Sequence, residues 1–583
     1  MRLIAVDSFV IKSVYGDVTP SYAILSHTWG PEEVTLQDMQ AEFGGADGDQ
    51  DPADVPSKGR ASRKEGFRKI KYTCEQAARD GLKWAWLDTC CIDKTSSAEL
   101  SEAINSMYRW YNKARVCYAY LADATLDGKT TSQQNLPLPE SGSSPGTASA
   151  TYQAIRASRW ITRGWTLQEL LAPRDVIFYD AQWNEIGNRN TTLRKTLARV
   201  TGIDRKCLMS GDHARLADYS IATRMSWASR RSCTRTEDVA YCLMGIFDIN
   251  MPMLYGEGKK AFLRLQEEIL KETEDHSLFA WAVSEDSDRA WCPSSIFAES
   301  PFDFVQCANI KRRESSFSGL SAMTKLGLSI ELGEAVQPSA EKEPHYLCDE
   351  PYKLLYFTLD CLIDGPRGED THQVKIALLS LSTGATRDLP IPSFCRLAIP
   401  QIQVDPCSSV RADQEPKRVY IRKNLSPQEL NMFLHGTISF QGLHQWDLTM
   451  TSQEEYSSDF LTHKTLHDRG GIVSILMDPW VEKGVGWSVT QFRSRSVDYF
   501  TVAIGVGPNT LHCFVDKTGG PSSSPSSDGL QSYFQPQSPT TTCVDYWTKQ
   551  GPLASDEFTM GSRRTEWNCF TTTCRQSIYW YVS

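Results

Sequence analysis

Short apolar runs alternate with helix-like patterns along the first 180 residues of the chain. Runs of about four to eight mostly apolar residues, bounded by polar ones, predict buried β-strands. Four such runs are Tyr22–Ser26, Lys83–Leu87, Val116–Leu121 and Val176–Tyr179. Between them, apolar side chains recur at helical spacing over 67–78 and 100–111, and a Ser96–Glu99 capping box precedes the second stretch.

This alternation of strands and helices predicts an α/β domain over residues 1–195. Strands joined by helical crossovers form a parallel sheet with helices on both faces, and a flavodoxin-like fold is the architecture that we expect. Ligands of such sheets bind beyond the carboxyl ends of the strands, close to the point where the strand order reverses. The polar side chains that follow these strands are therefore the first candidates for a functional site.

The pattern changes twice after this domain. A helical segment is expected over 196–274, with a helix at Lys259–Lys271. Beyond 274, strand-like runs alternate with polar and proline-containing turns and predict a mainly β domain over 275–583. The clearest runs are Leu354–Ile363, Val374–Leu381, Arg418–Arg422, Ile472–Met477 and Tyr499–Ile504. This domain has no visible catalytic constellation, and we interpret it as a sensing, regulatory or partner-binding unit.

Three stretches interrupt the hydrophobic pattern. They are rich in Gly, Ser, Pro, Thr and charged residues, a composition typical of loops and disordered inserts. The stretches are Ala41–Lys64, Lys129–Ala150 and Asp516–Thr542. The first two lie within the α/β alternation, so we predict insertions between elements there. The third, near 516–542, is predicted to be a disordered insert of the β domain.

Length and charge narrow the class of protein. A chain of 583 residues is too long for one core, so two or three domains are expected. The formal net charge of −10 makes a general phosphate-binding surface, and hence a nucleic-acid partner, a poor expectation. The sequence has neither a secretory leader pattern nor an apolar stretch of about 18 residues, so we expect a cytoplasmic protein without a membrane span.

The cysteine pattern favours reduced thiols. The 17 cysteines are scattered and include no CxxC pair, so neither a zinc ribbon nor a disulfide scaffold is indicated. His27 with Cys90 and Cys91 is the one combination considered for a metal. Adjacent thiols rarely both reach one ion and no fourth ligand is evident, so no metal site is predicted.

Two predicted strands are followed directly by residues that are unusual for solvent-facing loops. The sequence after the first strand is SHTWG, which contributes Ser26, His27, Trp29 and Gly30, and the sequence after the second runs from Asp88 to Asp93. Loops normally carry Gly, Asn and Ser, so these side chains favour a ligand-binding role. A structural role stays open: Trp29 would cap the sheet end, the cysteines would pack as small apolar groups, and Asp93 would cap a helix.

A third cluster lies in the segment Ser158–Pro173, SRWITRGWTLQELLAP, which contributes Trp160, Trp165 and Glu169. If the segment is helical throughout, Trp165 and Glu169 share a face, a pairing that suits a flat cationic ligand. In the alternative, Thr166 and Glu169 form a capping box, with Trp165 and Leu170 as its hydrophobic staple. Glu169 is then a structural residue, and both interpretations stay open at this point.

These three strings resemble the blocks of the fungal heterokaryon incompatibility (HET) domain. They are SHTWG with the acidic pair after it, WLDTCCIDK with the helix LSEAINSMYRWYNKA, and SRWITRGWTLQELLAP. The stretch 219–268 is similar to the segment that commonly follows this domain. The resemblance covers roughly the first half of the chain. It implies a role in non-self recognition between fungal cells that ends in growth arrest or programmed cell death.

The order of elements over 99–169 also resembles that of a TIR domain, including a WxxxE motif that ends at Glu169. Many TIR domains cleave NAD at the bond between nicotinamide and ribose. The resemblance implies that Glu169 would stabilise the positive charge of the transition state, with NAD as a substrate and no bound cofactor. A fixed carboxylate beside an aromatic wall suits that charge.

Two functions follow from the sequence. One is an effector enzyme that hydrolyses NAD after self-association through the HET domain, with Glu169 catalytic. The substrate would then contact Ser26, His27, Trp29, Gly30, Asp88, Asp93, Trp160 and Trp165. The other is a non-enzymatic signalling or oligomerisation module in which the same residues build an interface. The protein partner and the trigger are not evident from the sequence.

Overall fold

The computed structural model describes most of the chain up to residue 423 and, beyond it, the backbones of strands. The gaps before residue 424 are 15–18, 45–60, 126–149, 210–212, 286, 288, 291–292, 314–320, 326, 334, 337–353, 365–370, 381–392 and 407–415. Two compact units are present, Met1–Ser284 with Ser295–Lys423 and Glu285–Ser294 with Asn424–Ser583. The predicted boundaries at 195 and 274 both lie inside the first unit and stay predictions.

The described α-helices all belong to the first unit. In chain order they are α1 Leu36–Phe43, α2 Phe67–Arg79, α3 Asp88–Cys91, α4 Ser97–Lys113, α5 Ala150–Ala157, α6 Arg159–Thr162, α7 Thr166–Leu171, α8 Arg194–Thr201, α9 Ile221–Ala228, α10 Asp238–Tyr241, α11 Met244–Phe247 and α12 Lys260–Glu272. Seven of these twelve lie between 1 and 195 and five between 194 and 274, in accordance with the predicted helical segment after the α/β region. Among the described helices, none is both long and apolar enough to cross a bilayer.

The described strands fall into two groups. Those that precede residue 195 are β1 Arg2–Ala5, β2 Ile11–Ser13, β3 Ala23–His27, β4 Trp84–Trp86, β5 Val116–Tyr120, β6 Val176–Tyr179 and β7 Glu185–Asn188. Those that follow α12 are β8 Pro293–Ser294, β9 Ile310–Arg312, β10 Ala322–Thr324, β11 Gly327–Leu332, β12 Ala335–Val336, β13 Leu354–Asp364, β14 Thr371–Ser380, β15 Ser393–Leu397, β16 Gln403–Pro406, β17 Lys417–Ile421, β18 Gly436–Gln441, β19 Thr449–Tyr456, β20 Lys464–Leu466, β21 Val473–Met477, β22 Gly486–Arg493, β23 Tyr499–Gly507, β24 Thr510–Thr518, β25 Trp567–Asn568 and β26 Ile578–Val582. The mainly β character predicted for the C-terminal region is confirmed.

The N-terminal sheet has the strand order β2-β1-β4-β3-β5-β6-β7. The four central strands β4, β3, β5 and β6 are parallel, with Ala23 opposite Val116 and His27 opposite Tyr120. Antiparallel pairs β1–β2, β1–β4 and β6–β7 complete the edges. The four predicted strands are therefore parallel as expected, and the antiparallel edge strands, which were not predicted, make the sheet mixed.

Burial explains why the central strands were predictable. Every residue of β3 and β5 is buried, which requires protein on both faces of the sheet. Helix α2 packs against β3 and β4, and α7 packs against β3 and α4. The edge strand β2 has no buried residue and β7 has one, so neither forms the continuous apolar run by which a sequence indicates a strand.

The remaining strands form three further sheets. In the first unit β10-β11-β17-β15-β14-β13-β12 are neighbours, with β9 on β13 and β16 on β14, and the pairs are antiparallel except for the parallel pair of β15 and β17. In the second unit, β20-β21-β18-β26-β25 form one sheet and β19-β22-β23-β24 another.

The predicted inserts overlap the described residues at their ends. Residues 41–43 belong to α1 and Ala61–Arg63 form a short 3₁₀ helix, so the first insert is narrower than predicted. The part over 45–60, the second insert up to residue 149, and the third from residue 519 lie outside the described residues.

A buried arginine fixes the C-terminal end of α7, the helix that carries Glu169. Arg189 follows β7 and is fully buried. Its guanidinium donates hydrogen bonds to the carbonyl oxygens of Leu170, Pro173 (2.8 Å) and Arg174 (2.9 Å). These carbonyls lie at the end of α7, where intrahelical donors are absent. Arg189 therefore ties the helix to the edge of the sheet.

Replacement of Arg189 by Met should destabilise the first unit by about 3 kcal/mol, because three buried carbonyls would lose charged donors. Denaturant unfolding of the purified chain measures this change. Arg174→Met is the matched control: its side chain is exposed, and we expect a change within about 0.5 kcal/mol. Equal stability of the two variants would contradict the anchoring role of Arg189.

Candidate functional site

A buried carboxyl group lies at the carboxyl end of the central strand β3. Ser26, the penultimate residue of this strand, donates a hydrogen bond of 2.5 Å from Oγ to Oε2 of Glu169 on α7. The Trp160 indole N–H donates to the same hydroxyl at 2.8 Å. Ser26 and Trp160 are fully buried and Glu169 is 7% exposed. Three of the residues predicted for the site thus meet in one hydrogen-bonded cluster.

The surroundings of Glu169 favour its neutral form. Burial raises the pKa of this carboxyl to about 8, against the opposing hydrogen bonds of Ser26 and Tyr111. Tyr111 belongs to α4, and its hydroxyl donates its proton to the Leu25 carbonyl at 2.8 Å. At neutral pH most molecules therefore hold a protonated Glu169, since a buried charge is costly without a close cation.

The segment that carries Glu169 is not one helix. It consists of α6 and α7, separated by an extended Arg163, which forms an isolated parallel bridge with Ser232. Trp165 precedes α7, and its side chain forms a hydrogen bond with Asp238. The segment is therefore not helical throughout, which was the condition under which Trp165 and Glu169 were expected to share a helical face. A contact with a distant part of the chain breaks the helix.

The capping alternative is not what the structure contains. The first turn of α7 has no side-chain cap, and the Glu169 carboxylate faces Ser26. The Thr166 hydroxyl donates to the carbonyls of Trp160 (2.5 Å) and Arg163 (2.9 Å). Thr166 thus links α7 back to α6, and Glu169 is free of any role in capping its own helix.

A second, charged cluster begins at the next residue of the strand. The His27 Nε2 atom is 2.9 Å from Oδ1 of Asp88, and the Trp29 indole N–H donates to Oδ2 of the same carboxylate at 2.8 Å. Burial acts to raise the pKa of Asp88, but the hydrogen bond of His27 and the charge of Lys94 outweigh it and hold that pKa below its ordinary value. Asp88 is therefore an ionised acceptor.

The chain of contacts continues behind His27. The Lys69 ammonium lies 2.8 Å from Nδ1 of His27 and 2.5 Å from Oε1 of Glu33. A lysine can donate but not accept, so Nδ1 is the acceptor, and Nε2 carries the proton that is donated to Asp88. The backbone N–H of Gly30 donates to the same Glu33 oxygen at 2.5 Å. The other Glu33 oxygen is buried and has no hydrogen-bond partner among the described residues.

Trp29 is the solvent-facing part of the site. Its side chain is 48% exposed, although Asp88 holds the indole N–H. The Lys94 ammonium lies 3.6 Å from the centre of the indole ring, within the range of a cation–π contact. An aromatic face beside an ionised carboxylate is an arrangement that can bind a flat cation, and an internal cation occupies it here.

Asp93 has a local structural role. Its carboxylate accepts hydrogen bonds from the backbone N–H and the hydroxyl of Thr95 and from Gln37. Helix α4 begins shortly afterwards, capped by Ser96, whose hydroxyl accepts from the Glu99 N–H. This bond is one half of the predicted capping box. The other half would need the Glu99 carboxylate to accept from the Ser96 N–H, but that carboxylate accepts from the Asp93 N–H instead. Asp93 holds the loop before the helix and is separate from both clusters.

Sequence inspection missed four side chains of the site, Glu33, Lys69, Tyr111 and Lys94. Lys69 occupies the buried stripe of α2, four residues from Thr73, and a lysine in such a stripe is a signal that could have been followed. Tyr111 was interpreted as a core residue because it continues the apolar spacing of α4. Within the described residues no group of three or more His, Cys, Asp or Glu side chains is arranged to hold a metal ion.

The stability of the protein should depend on pH through Glu169. The folded protein keeps a proton up to about pH 8, whereas the unfolded chain loses it near 4.5. The stabilisation associated with this proton is therefore complete below pH 4.5 and is lost as the pH rises to 8. We expect the free energy of unfolding of wild type, measured relative to Glu169→Gln, to fall by roughly 1 kcal/mol per pH unit across that interval.

The control for this pH profile is Glu185→Gln, which removes an exposed glutamate of β7. Its profile should run parallel to that of the wild type, because the Glu185 side chain is exposed to solvent in the folded protein. Denaturant unfolding between pH 5 and pH 8 provides the measurement. A Glu169→Gln profile parallel to wild type would show that Glu169 is already ionised in the folded protein.

Comparison with known proteins places two parts of this chain in described families. Residues 22–169 match the family model of the heterokaryon incompatibility protein (HET), so the match begins at β3 and ends at Glu169. Residues 260–322 match a domain of unknown function, DUF8212, which begins with α12.

The chain is also similar to the vegetative incompatibility protein HET-E-1 of Podospora anserina, with 44% identity over 256 residues. The alignment covers 43% of this chain and 16% of the relative. The match to a lectin structure, XCL of Xerocomus chrysenteron, covers 25% of the chain and 94% of the lectin at 15% identity, and its TM-score of 0.15 is too low to indicate a shared fold. The family match and the relative together identify the N-terminal region of this chain as a fungal heterokaryon incompatibility (HET) domain.

Proposed function

We propose that this chain acts in fungal heterokaryon incompatibility, as an effector that responds to non-self contact and triggers growth arrest or cell death. The HET domain and the vegetative incompatibility protein of Podospora anserina support this role. The chain spans 16% of that relative, so the remainder of the relative's role does not transfer. In this proposal the HET domain is the active part of the effector, and an unidentified partner or a second copy of the chain triggers it.

We further propose that the effector hydrolyses NAD at the carboxyl end of β3. The observation that carries this proposal is the orientation of Glu169, whose carboxyl group points to Ser26 at the end of the strand. The parallel strands have the order β4-β3-β5-β6, which is second-first-third-fourth along the chain. Flavodoxin-like sheets have the same order of parallel strands and bind their ligands at the reversal between the first and third strands, which supports a ligand site here. Ser26 is the penultimate residue of the first of these strands.

The two clusters supply complementary parts of such a site. The ionised Asp88 and the exposed face of Trp29 suit the cationic nicotinamide ring, and Lys94 would leave that face when the ring binds. Cleavage of the glycosidic bond builds positive charge on the ribose, and a nearby carboxylate stabilises it. A bound cation favours the ionised form of Glu169, so the substrate would itself generate the catalytic carboxylate.

One observation favours a non-enzymatic second candidate. Glu169 is 7% exposed, and its hydrogen bonds to Ser26 and Tyr111 lock α7 onto β3 and α4. A carboxyl group satisfied in this way also serves a purely structural purpose. In this candidate, the HET domain signals by assembling with other copies or with a partner, and Trp29 belongs to the assembly surface.

An NAD assay on the purified chain distinguishes the two candidates. We expect NAD consumption with release of nicotinamide by the wild type, and a decrease of at least about a hundredfold for Glu169→Gln, since the transition-state charge would lose its carboxylate. Glu185→Gln is the control and should retain wild-type activity. Equal NAD consumption by wild type and Glu169→Gln, or none by the wild type even at high protein concentration, would overturn the enzymatic proposal.

A cell assay tests the effector role separately. Expression of the wild type in fungal cells should arrest growth, and expression of Glu185→Gln should do the same. If Glu169→Gln is folded but harmless while the purified wild type consumes NAD, the enzyme is the effector. Growth arrest by a folded Glu169→Gln variant would instead favour signalling by assembly.

A further inference from the structure

Two thiols lie beside the break between α6 and α7. The Sγ atoms of Cys233 and Cys242 are 3.9 Å apart. Cys242 directly follows α10 and is buried, whereas Cys233 lies in the preceding loop and is partly exposed. Among the cysteines that the structure describes, Cys233 is the one that is not buried.

Both sulfur atoms rest on the backbone of Gly164. A Cβ atom at this glycine would lie 2.2 Å from the Cys233 sulfur and 3.1 Å from the Cys242 sulfur. The first separation is far below contact distance and the second is short, so a side chain at this position would displace the sulfurs. The thiol pair is therefore packed directly against Gly164, in the connection between α6 and α7. A movement of the sulfurs would change their contact with this backbone.

The loop that carries Cys233 is bound to this connection on both sides. The Ser232 N–H donates to the Thr162 carbonyl at 2.7 Å, and the Gly164 N–H donates to the Ser232 carbonyl at 2.9 Å. Arg163 donates to the hydroxyl of Thr234 at 2.6 Å. A local strand-like pairing thus transmits the position of the Cys233 loop to the segment just before α7.

Arg231 extends the connection towards Glu169. Its guanidinium donates to the Arg163 carbonyl and to the Thr166 hydroxyl, each at 2.9 Å. Burial lowers the pKa of Arg231 to about 10, while the Cys242 thiol and the Glu169 carboxyl act in the opposite direction. The guanidinium therefore lies within electrostatic reach of the thiol pair at one end and of the buried carboxyl at the other.

We propose that Cys233 and Cys242 form a redox modification site, at which a peroxide converts the thiol pair into a reversible disulfide. A disulfide needs the two sulfurs at about 2.05 Å, so each has to move by roughly 1 Å from its present position. Such a shift is within the freedom of side-chain torsion angles, and it keeps both sulfurs over the open face of Gly164.

The chemistry balances with a peroxide as the oxidant. The Cys233 thiolate attacks one peroxide oxygen, the O–O bond breaks, and Cys233 becomes a sulfenic acid while hydroxide leaves. The Cys242 thiol then attacks the Cys233 sulfur, the S–O bond breaks, and water leaves as the disulfide forms. A dithiol reductant returns both residues to thiols by exchange.

The surroundings assign the attacking role to Cys233. Its hydrogen bond with Cys242 lowers the pKa of the Cys233 thiol, and the positive charge of Arg163 acts in the same direction. Burial raises the thiol pKa of Cys74, and that of Cys307, well away from neutrality. A partly exposed thiol with a lowered pKa and a second thiol in contact is the usual arrangement of a redox-sensitive cysteine.

Peptide mapping of the full-length chain tests the proposal. The protein is treated with hydrogen peroxide, remaining thiols are alkylated, and trypsin is added. Cleavage after Arg231 and Arg235 separates the two cysteines into the peptides Ser232–Arg235 and Thr236–Lys259. We expect these two peptides to appear joined after oxidation and separate after dithiothreitol. Recovery of both as alkylated peptides, or of Cys233 as the sulfinic acid with Cys242 alkylated, would overturn the proposal.

Two variants sharpen the test. In Cys242→Ser, Cys233 loses its resolving partner, so oxidation should leave a sulfenic acid that reacts with dimedone. Cys74→Ser removes a buried thiol of α2 and should form the disulfide as the wild type does. Two results would contradict a dedicated pair. One is a disulfide between Cys233 and another cysteine in Cys242→Ser, and the other is a disulfide between Cys233 and a cysteine other than Cys242 in Cys74→Ser.

A regulatory consequence rests on the proposed function. The disulfide would shift the connection before α7, move Arg231, and so change NAD consumption, reversibly with dithiothreitol. Cys233→Ser should make the activity insensitive to peroxide. The two proposals can fail separately. If the disulfide forms in a chain that consumes no NAD, the enzymatic proposal is wrong and the redox proposal stands. If the chain consumes NAD but both thiols stay free after peroxide treatment, the redox proposal alone is wrong.

Discussion

The burial of one carboxyl group at the end of β3 is the constraint on which the site depends. An ionised glutamate in that position would lack a cation within hydrogen-bond distance, so Glu169 holds a proton and takes a hydrogen bond from Ser26. Trp160 must then donate to the same serine hydroxyl to complete its bonding. These requirements fix the position of α6 and α7 over the sheet, because both indole and carboxyl have to reach one hydroxyl group.

The adjacent residue of β3 begins a second network with the opposite electrostatic character. His27 joins Asp88 to Lys69, and Lys69 joins Glu33, so one ammonium group lies between two carboxylates in this network. Side chains of successive strand residues point to opposite faces. One strand end therefore holds a neutral, dry cluster on one side and a charged, partly exposed cluster on the other. A substrate that needs a cation-binding surface and a carboxylate could use both.

Helix α7 has six residues and could not hold this geometry alone, since isolated helices of that length are unstable. Two contacts from distant parts of the chain position it. Arg189 binds the carbonyls at its C-terminal end, and the loop from Arg231 to Cys233 pairs with the backbone before its first turn. The second contact includes the thiol pair on Gly164. If these thiols are oxidised as proposed, this contact would change while that of Arg189 would not.

The sequence by itself determined the four parallel strands, the helices between them and the polar segments that begin at Ser26 and Asp88. Those strands are buried on both faces, so their residues must be apolar, and that requirement is visible in a single sequence. The exposed edge strand β2 has no such requirement and could not be predicted. Only the tertiary structure decided that Arg163 interrupts the helix and that Lys69 reaches His27, because Ser232 and His27 lie far from these residues in the chain. Helix and strand propensities depend on neighbouring residues in the sequence, so they cannot predict a contact between residues that only folding brings together.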